Sequence, residues 1–436
     1  MRNIFMKIWG CQMNQYDAEL IRDILEASGY SFVNEENDAD IVLLQTCSVR
    51  ESAENKVFNN IDLLLHKKKK KKELMIGVCG CMAQNHYDFI RKNYPGVQIL
   101  CGPNNYTELP YMLETAFLSK EYKKPKSDLR KEYPVLTSWK SGSRFQSYVA
   151  ITRGCDNYCS YCIVPYVRGN EISRSPLEIL EEIKILVDNG CKEVTLLGQN
   201  VNSYGKDLNI TFVKLLEQIN SINGLTRIRF LTSHPKDAGA DLFYAIRDLE
   251  KVCPYLHLPM QSGSDKILKI MNRKYTSKEY LDKIDMVKSI LPDICLSSDF
   301  IVGFPGESEE DFSKTIDAIE YVKYDSSFIF KYSVREGTAA SKLDDNVPVE
   351  IKEERNRILL KFQEKISLKN NQKYIGKIFE VFVEGKSKRN PEKLCGRTTG
   401  FKNTVFPGNG DLIGKIVKVK IEHVTSLTLF GNLEDA

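Results

Sequence analysis

Twelve cysteines are spread over the 436 residues, and seven of them fall at spacings that suit metal chemistry. The tighter group is Arg153-Gly154-Cys155-Asp156-Asn157-Tyr158-Cys159-Ser160-Tyr161-Cys162, a Cys-x3-Cys-x2-Cys loop. Three thiolates on one short loop can hold three irons of a [4Fe–4S] cluster and leave the fourth iron without a protein ligand. An open position is what a catalytic metal needs, because a substrate must reach it. A structural zinc with a distant fourth ligand is the other reading, and this three-thiol spacing is unusual for it.

The second group is dispersed. Gly10-Cys11, Thr46-Cys47 and Gly80-Cys81 each follow an apolar run, and the cysteines stand 36 and 34 residues apart. Each interval is about one βαβ unit. Parallel strands share one carboxyl edge, where ligands gather. Cys11, Cys47 and Cys81 are therefore expected to converge on a second cluster with an open iron. Cys79 rivals Cys81 for the third place, but Cys81 repeats the glycine-preceded turn of Cys11 while Cys79 still lies in the strand. Cys101, Cys191, Cys253, Cys295 and Cys395 have no partner at ligand spacing and read as structural.

The elements that must carry these residues are legible as three blocks of an α/β chain. In residues 1–125, apolar runs Ile4 to Trp9, Ile41 to Leu44 and Leu74 to Val78 alternate with helical patterns Asp17 to Ser28, Glu51 to Leu65 and Met82 to Asn93. This predicts an amino-terminal parallel sheet covered by helices. Residues 126–146 are polar, charged and broken by prolines, and read as a linker. Residues 147–370 repeat the alternation, with strands expected at Ser147 to Thr152, Glu193 to Leu197, Arg227 to Leu231, Tyr255 to Leu258, Cys295 to Val302 and Ser326 to Tyr332. Six such strands predict a central partial (β/α)6 barrel. A last helix, Glu350 to Lys369, carries Ile351, Ile358, Leu359, Phe362 and Ile366 as its expected apolar face. In residues 371–436 the period changes to β alternation over Ile378 to Glu384, Gly396 to Val405, Ile416 to Val424 and Leu427 to Leu433, which predicts a small all-β barrel.

Composition narrows the class further. Hydrophobic residues make up 42% and charged residues 28%, as in an ordinary globular protein. No signal peptide or membrane-length apolar stretch is evident, so a cytoplasmic location is expected. Residues 371–436 hold 11 Lys/Arg against 7 Asp/Glu, which accounts for the chain's whole net charge of +4. That excess points to an anionic partner there, with Lys386, Lys388, Arg389, Arg397, Lys402, Lys415, Lys418 and Lys420 as candidate phosphate contacts. The run Lys67 to Lys72 reads as a solvated turn between helix and strand.

The Cys155–Cys162 spacing, with a partial barrel behind it, resembles the radical S-adenosylmethionine superfamily. The resemblance implies that the open iron chelates the amino and carboxylate groups of S-adenosylmethionine, and that one electron then releases a 5′-deoxyadenosyl radical. Tyr161 occupies the aromatic position that the superfamily places beside the adenine. The segment Phe300 to Gly306, including Ile301, is similar to its later adenine-contacting strand, an ordinary core strand being the other reading of Ile301. Gln199 and Asn200, at the end of the strand Val194 to Leu197, are further candidates for cofactor contact. His234, in Ser233-His234-Pro235, and His257 sit at strand ends facing the expected mouth. Cofactor contact and structural hydrogen bonding are both open for them, and neither is given a catalytic role. Arg168 and Arg335 are candidates for carboxylate or phosphate contact.

A more specific resemblance follows. Gly10-Cys11-Gln12-Met13-Asn14 with Asp17 and Glu19, Thr46-Cys47-Ser48-Val49-Arg50, Gly80-Cys81-Met82-Ala83-Gln84, Leu256 to Asp265 and Tyr332-Ser333 with Arg335, Gly337, Thr338 and Ala340 look like the motifs of the methylthiotransferase family. The likeness covers nearly the whole chain, including a carboxyl-terminal block similar to a TRAM RNA-binding barrel. Gln12-Met13-Asn14 resembles the branch acting on prenylated adenosine in tRNA. Gln45 departs from it mildly, since that branch usually has asparagine before Thr-Cys. The resemblance implies two [4Fe–4S] clusters and two S-adenosylmethionine molecules per turnover. One methylates a sulfur on the auxiliary cluster; the other supplies the radical that takes hydrogen from C2 of N6-dimethylallyladenosine at tRNA position 37. It also implies an electron donor such as flavodoxin or ferredoxin, and a sulfur donor. The same chemistry on threonylcarbamoyladenosine or a ribosomal protein is one alternative; a non-catalytic iron–sulfur RNA-binding protein is another.

Overall fold

The computed structural model describes residues 2–48, 51–119 and 145–434. The expected linker 126–146 lies outside the described residues except for its last two, as do Val49 and Arg50 of the second cysteine motif.

The amino-terminal unit is a five-stranded parallel sheet ordered Ser31–Phe32, Asn3–Ile8, Ile41–Thr46, Met75–Gly80, Ile99–Cys101. Alternate side chains of the central strand go to opposite faces. Ile41 and Leu43 pack with Leu20, Ile21 and Leu25 of the helix Gln12–Ala27. Val42 and Leu44 pack with Val57, Ile61 and Leu64 of the helix Glu51–Lys70. A strand buried on both faces is apolar throughout, which is why the runs read so plainly. The two short edge strands are additions to the expected three. The expected Met82 to Asn93 helix is two helices, Cys81–Asn85 and Tyr87–Asn93, separated at His86. Lys67 to Lys70 form the last turn of a helix rather than a loop, where cations offset the carbonyl end. Lys67 pairs with Glu36, and Lys71 Nζ donates to the Ala39 carbonyl at 2.7 Å.

All six expected barrel strands are present, as two parallel triplets. One is Arg227–Phe230, Glu193–Leu197, Gln146–Ala150; the other is Tyr255–His257, Cys295–Val302, Ser326–Lys331. One continuous core runs through both, including Val149, Leu196, Ile228, Leu256, Phe300 and Ile329. The closing helix is Val349–Gln372, but its buried face differs from the expected stripe. Leu359 is buried, whereas Ile351 and Ile358 are each 37% exposed. Phe362 and Ile366 also pack on the core, as expected, and Lys352, Arg355, Gln363, Ser367 and Asn371 are buried beside them. These polar side chains face polar groups: Arg355 meets Glu307 at 2.8 Å, and Gln363 Nε2 donates to the Tyr324 carbonyl at 2.8 Å.

The last unit is a closed barrel of five strands, in the order Ile378–Lys386, Lys393–Thr398, Asn403–Pro407, Leu429–Leu433, Ile416–Val424. The expected single strand from Gly396 to Val405 is a hairpin. Its turn, with Phe401 at φ 65°, pushes against the amino ends of the central barrel strands. There Arg227 Nη1 donates to the Arg397 carbonyl at 2.9 Å, and Arg229 donates to the carbonyls of Thr398 at 2.8 Å and Thr399 at 2.9 Å. The Phe401 ring lies 4.8 Å from that of Tyr255. Lys402 Nζ reaches Asp325 at 2.7 Å and Asn371 at 2.8 Å. Among the described residues no helix is long and apolar enough to cross a membrane.

Candidate functional site

Asn3–Ile8, Ile41–Thr46 and Met75–Gly80 are neighbours in the sheet, so their carboxyl ends lie side by side. Cys11 caps the helix Gln12–Ala27, Cys47 follows the second strand, and Cys81 opens the helix Cys81–Asn85. The close approach explains the glycines. At Gly10, with φ 129°, a Cβ would stand 2.5 Å from Cys47 Cβ, and at Gly80, with φ 92°, one would stand 2.4 Å from the Thr46 carbonyl oxygen. Cys79 points to the other face, into the core with its register partner Cys101. Cys81 rather than Cys79 thus shares the edge with Cys11 and Cys47.

The charges around this edge are specific. The hydrogen bond with Cys47, aided by the Arg168 guanidinium, holds Cys11 down at about 6, while burial pushes the Cys81 thiol up. Arg168 Nε donates to Cys81 Sγ at 3.3 Å and Nη2 lies 2.6 Å from Asp17. Asp17 also accepts from the Tyr106 hydroxyl at 3.2 Å, and Gln45 Nε2 donates to that hydroxyl at 3.0 Å. Asn14 and Asp17 of the first motif therefore hold an arginine from the central unit.

The second thiol group lies on the loop after Thr152–Arg153 and is fixed from four sides. Gly154 N donates to Gln199 Oε1 at 2.5 Å, Ser160 N to the Met271 carbonyl at 3.0 Å, and Ala340 N to the Ser160 carbonyl at 2.7 Å. Arg273 Nη1 donates to Cys159 Sγ at 3.3 Å. Burial pushes Cys155 up to about 11 and Cys162 up to about 12, so metal uptake here would release protons. Arg273 escapes a sequence reading because its partner is 114 residues away.

A cavity of about 790 Å³ opens beside Cys162 and reaches the residue after Cys47. Cys162 and Tyr161 border it on one side and Ser48, next to Cys47, on another. Ile301 also lines it, so two of the four candidate cofactor residues meet there. Gln199 and Asn200 are not among its lining. Gln199 holds the Gly154 backbone, and the Asn200 amide is engaged by Asp237 at 2.7 Å and by His234 N at 3.1 Å. The two arginines expected to meet a ligand anion meet protein carboxylates instead: Arg168 binds Asp17, and Arg335 binds Glu54. His257 lies 2.8 Å from Ser297 Oγ, and burial holds His234 down at about 2, which keeps it neutral.

The residues fit cluster-sized groups. Among the described residues no three His, Cys, Asp or Glu side chains close round a single-ion site. Each group nevertheless brings three thiols and one guanidinium to a common place. Ser48 Oγ, Ser160 Oγ and Gln261 Oε1 are buried with no hydrogen-bond partner among the described residues, leaving polar atoms for a bound group.

Comparison with known proteins extends over all three units. Residues 3–102 match the model of the uncharacterized protein family UPF0004, residues 149–319 the radical SAM superfamily, and residues 372–433 the TRAM domain. A tRNA-2-methylthio-N(6)-dimethylallyladenosine synthase of Acetivibrio thermocellus is 45% identical over 432 residues, covering 98% of this chain and 90% of the relative. One of Clostridium beijerinckii is 47% identical over 438 residues, covering 99% and 95%. Among solved structures, the radical S-adenosylmethionine methyltransferase TsrM from Kitasatospora setae, with tryptophan and aza-SAM bound, superposes with a TM-score of 0.60 at 13% identity, covering 78% of this chain and 75% of that one. The cobalamin-dependent radical enzyme OxsB gives 0.52 at 13% identity, covering 84% and 56%. At such identity these two speak for the fold alone.

Proposed function

Because the chain belongs to the family of tRNA-2-methylthio-N6-dimethylallyladenosine synthases, we propose that its central cavity is where the prenylated adenosine of tRNA meets both sulfur and radical chemistry. The enzyme is a tRNA methylthiotransferase with a [4Fe–4S] cluster and S-adenosylmethionine as cofactors. We assign the S-adenosylmethionine cluster to Cys155, Cys159 and Cys162 and an auxiliary [4Fe–4S] cluster to Cys11, Cys47 and Cys81. Three units carry the activity: 1–125 for the auxiliary cluster, 147–370 for the radical chemistry and 371–436 for RNA. The carrying observation is the cavity lined by Cys162 of one thiol group and by Ser48, the neighbour of Cys47 in the other.

When bound, the cofactors supply a carbon-centred radical able to take hydrogen from an aromatic C–H that acid–base chemistry cannot open. The chain's own part is to orient and exclude. Tyr161 and Ile301 offer apolar surface to the adenine of the cofactor. Ile163, Val164, Phe330 and Val334 line the space for a prenyl group. The buried lining cations are already paired: Lys352 lies 2.6 Å from Asp345, and Arg335 binds Glu54. A threonylcarbamoyl carboxylate would find them committed, which favours the prenylated base. An electron donor of flavodoxin or ferredoxin type and a separate sulfur donor complete the system.

Anaerobic reconstitution with iron and sulfide, then dithionite, S-adenosylmethionine and prenylated tRNA, tests this reading. Nucleoside mass spectrometry should show 2-methylthio-N6-dimethylallyladenosine in the wild type and none with Cys155→Ala or Cys11→Ala. Formation of 5′-deoxyadenosine with the base unchanged would overturn the substrate. Product from Cys11→Ala would overturn the auxiliary cluster.

A further inference from the structure

The two thiol groups stand on different sheets, yet one short segment touches both. Cys162 closes the loop of one group, and the helix Val164–Arg168 begins two residues later. Ile163 and Val167 of this segment pack against the buried Cys81 of the other group. At the helix end Arg168, 3% exposed, donates Nε–H to Cys81 Sγ at 3.3 Å. Its orientation is imposed from behind: Nη2 is held by Asp17 at 2.6 Å and faces Asn14 Oδ1 at 3.4 Å. Asn14 in turn donates to the Trp9 carbonyl at 2.8 Å. A planar guanidinium pinned at one end presents its remaining N–H in a fixed direction, which a lysine cannot reproduce.

Groups beyond the metal ligands orient them, and hydrogen bonds to cluster sulfurs are among the determinants of reduction potential. A cationic donor draws electron density from the sulfur and favours the more negatively charged, reduced form. On the reading that Cys11, Cys47 and Cys81 hold the auxiliary cluster, we propose that Arg168 is a positioning residue that raises that cluster's reduction potential through the Cys81 sulfur and ties its seat to the Cys155–Cys162 loop. Only five residues separate Cys162 from Arg168, so a shift at one site is transmitted to the other through a single short helix. A merely structural Arg168 would neutralise Asp17 and fill space, and nothing more.

The two roles separate in a full chain carrying Cys155→Ala, Cys159→Ala and Cys162→Ala, where the only cluster is the auxiliary one. Arg168→Lys keeps a cation for Asp17 but loses the fixed N–H on the sulfur; Arg168→Met keeps bulk and loses both. Iron and sulfide content and a redox titration followed by electron paramagnetic resonance are then compared with the parent. The expected result is full or nearly full iron in Arg168→Lys with a midpoint more negative than the parent's and an altered signal, and a larger shift in Arg168→Met. An unchanged midpoint and signal in Arg168→Lys at full iron content would overturn the proposal and leave the cluster assignment standing. A parent that takes up no iron would instead bring down the assignment itself, and the proposal with it.

Discussion

One side chain at the junction of the amino-terminal and central units is governed by burial rather than by pairing. Glu19, on the helix that starts at Cys11, lies beside Glu182, and burial with that neighbour pushes it up from 4.5 to about 7. The ionised form is the penalised one. Glu19's share of the stability is therefore fully present below about pH 4.5 and is lost as pH rises through about 7. Glu19→Gln is expected to match the wild type at pH 4.5 and to exceed it by about 1–3 kcal/mol at pH 8. Urea unfolding of the cluster-free chain at both pH values measures this; an equal difference at the two would refute the assignment of the effect to Glu19 ionisation. The cysteines were the most legible residues of the site, because metal chemistry fixes residue type and spacing. Arg168 and Arg273 take their meaning only from thiols on distant segments. Gln199 and Asn200 were plausible by position, but the loop geometry engages both with protein partners.

Among elements, the hairpin Lys393–Thr398 to Asn403–Pro407 shows both what periodicity can say and where it stops. Its two strands read as one because only four residues separate them, and the turn closes locally, with Phe401 N donating to the Thr398 carbonyl at 3.0 Å and Thr398 N to that of Lys402 at 3.1 Å. The helix Val349–Gln372 misleads in the opposite sense. An apolar stripe is a fair guide when a helix covers apolar strands, yet this one also covers Glu307, Asp345 and the Tyr324 carbonyl, so part of its polar side faces inward. The six barrel strands were legible because each carries a short apolar or β-branched run and helix-length spacers separate them. Lys402, 9% exposed, binds the hairpin to the barrel through Asp325. Breaking such a pair leaves a carboxylate without its cation. Lys402→Met is thus expected to cost about 3 kcal/mol in chemical unfolding; a change under about 0.5 kcal/mol would mean that Asp325 finds water instead.

For the whole molecule, the small β-barrel is the floor of the central one rather than a tethered module. Arg227 and Arg229 are 3% and 2% exposed, and their guanidinium groups are satisfied by Glu193 and by carbonyls of residues 380 and 397–399. A chain ended at residue 370 would return these charges to an open barrel end with one carboxylate between them. It is expected to lose cooperative urea unfolding and most of its soluble yield, whereas a merely attached RNA module would leave the remainder's transition intact.

That floor also sets an order of events in the making of the chain. Arg227 and its acceptor Arg397 are 170 residues apart. A ribosome adding about 5–20 residues per second needs roughly 9–34 s to pass from one to the other. Through that interval the nascent barrel stands unfinished at its lower end. The six thiols assigned to the clusters, by contrast, have all been made by residue 162. Both sets of metal ligands therefore exist well before the fold that supports them can close.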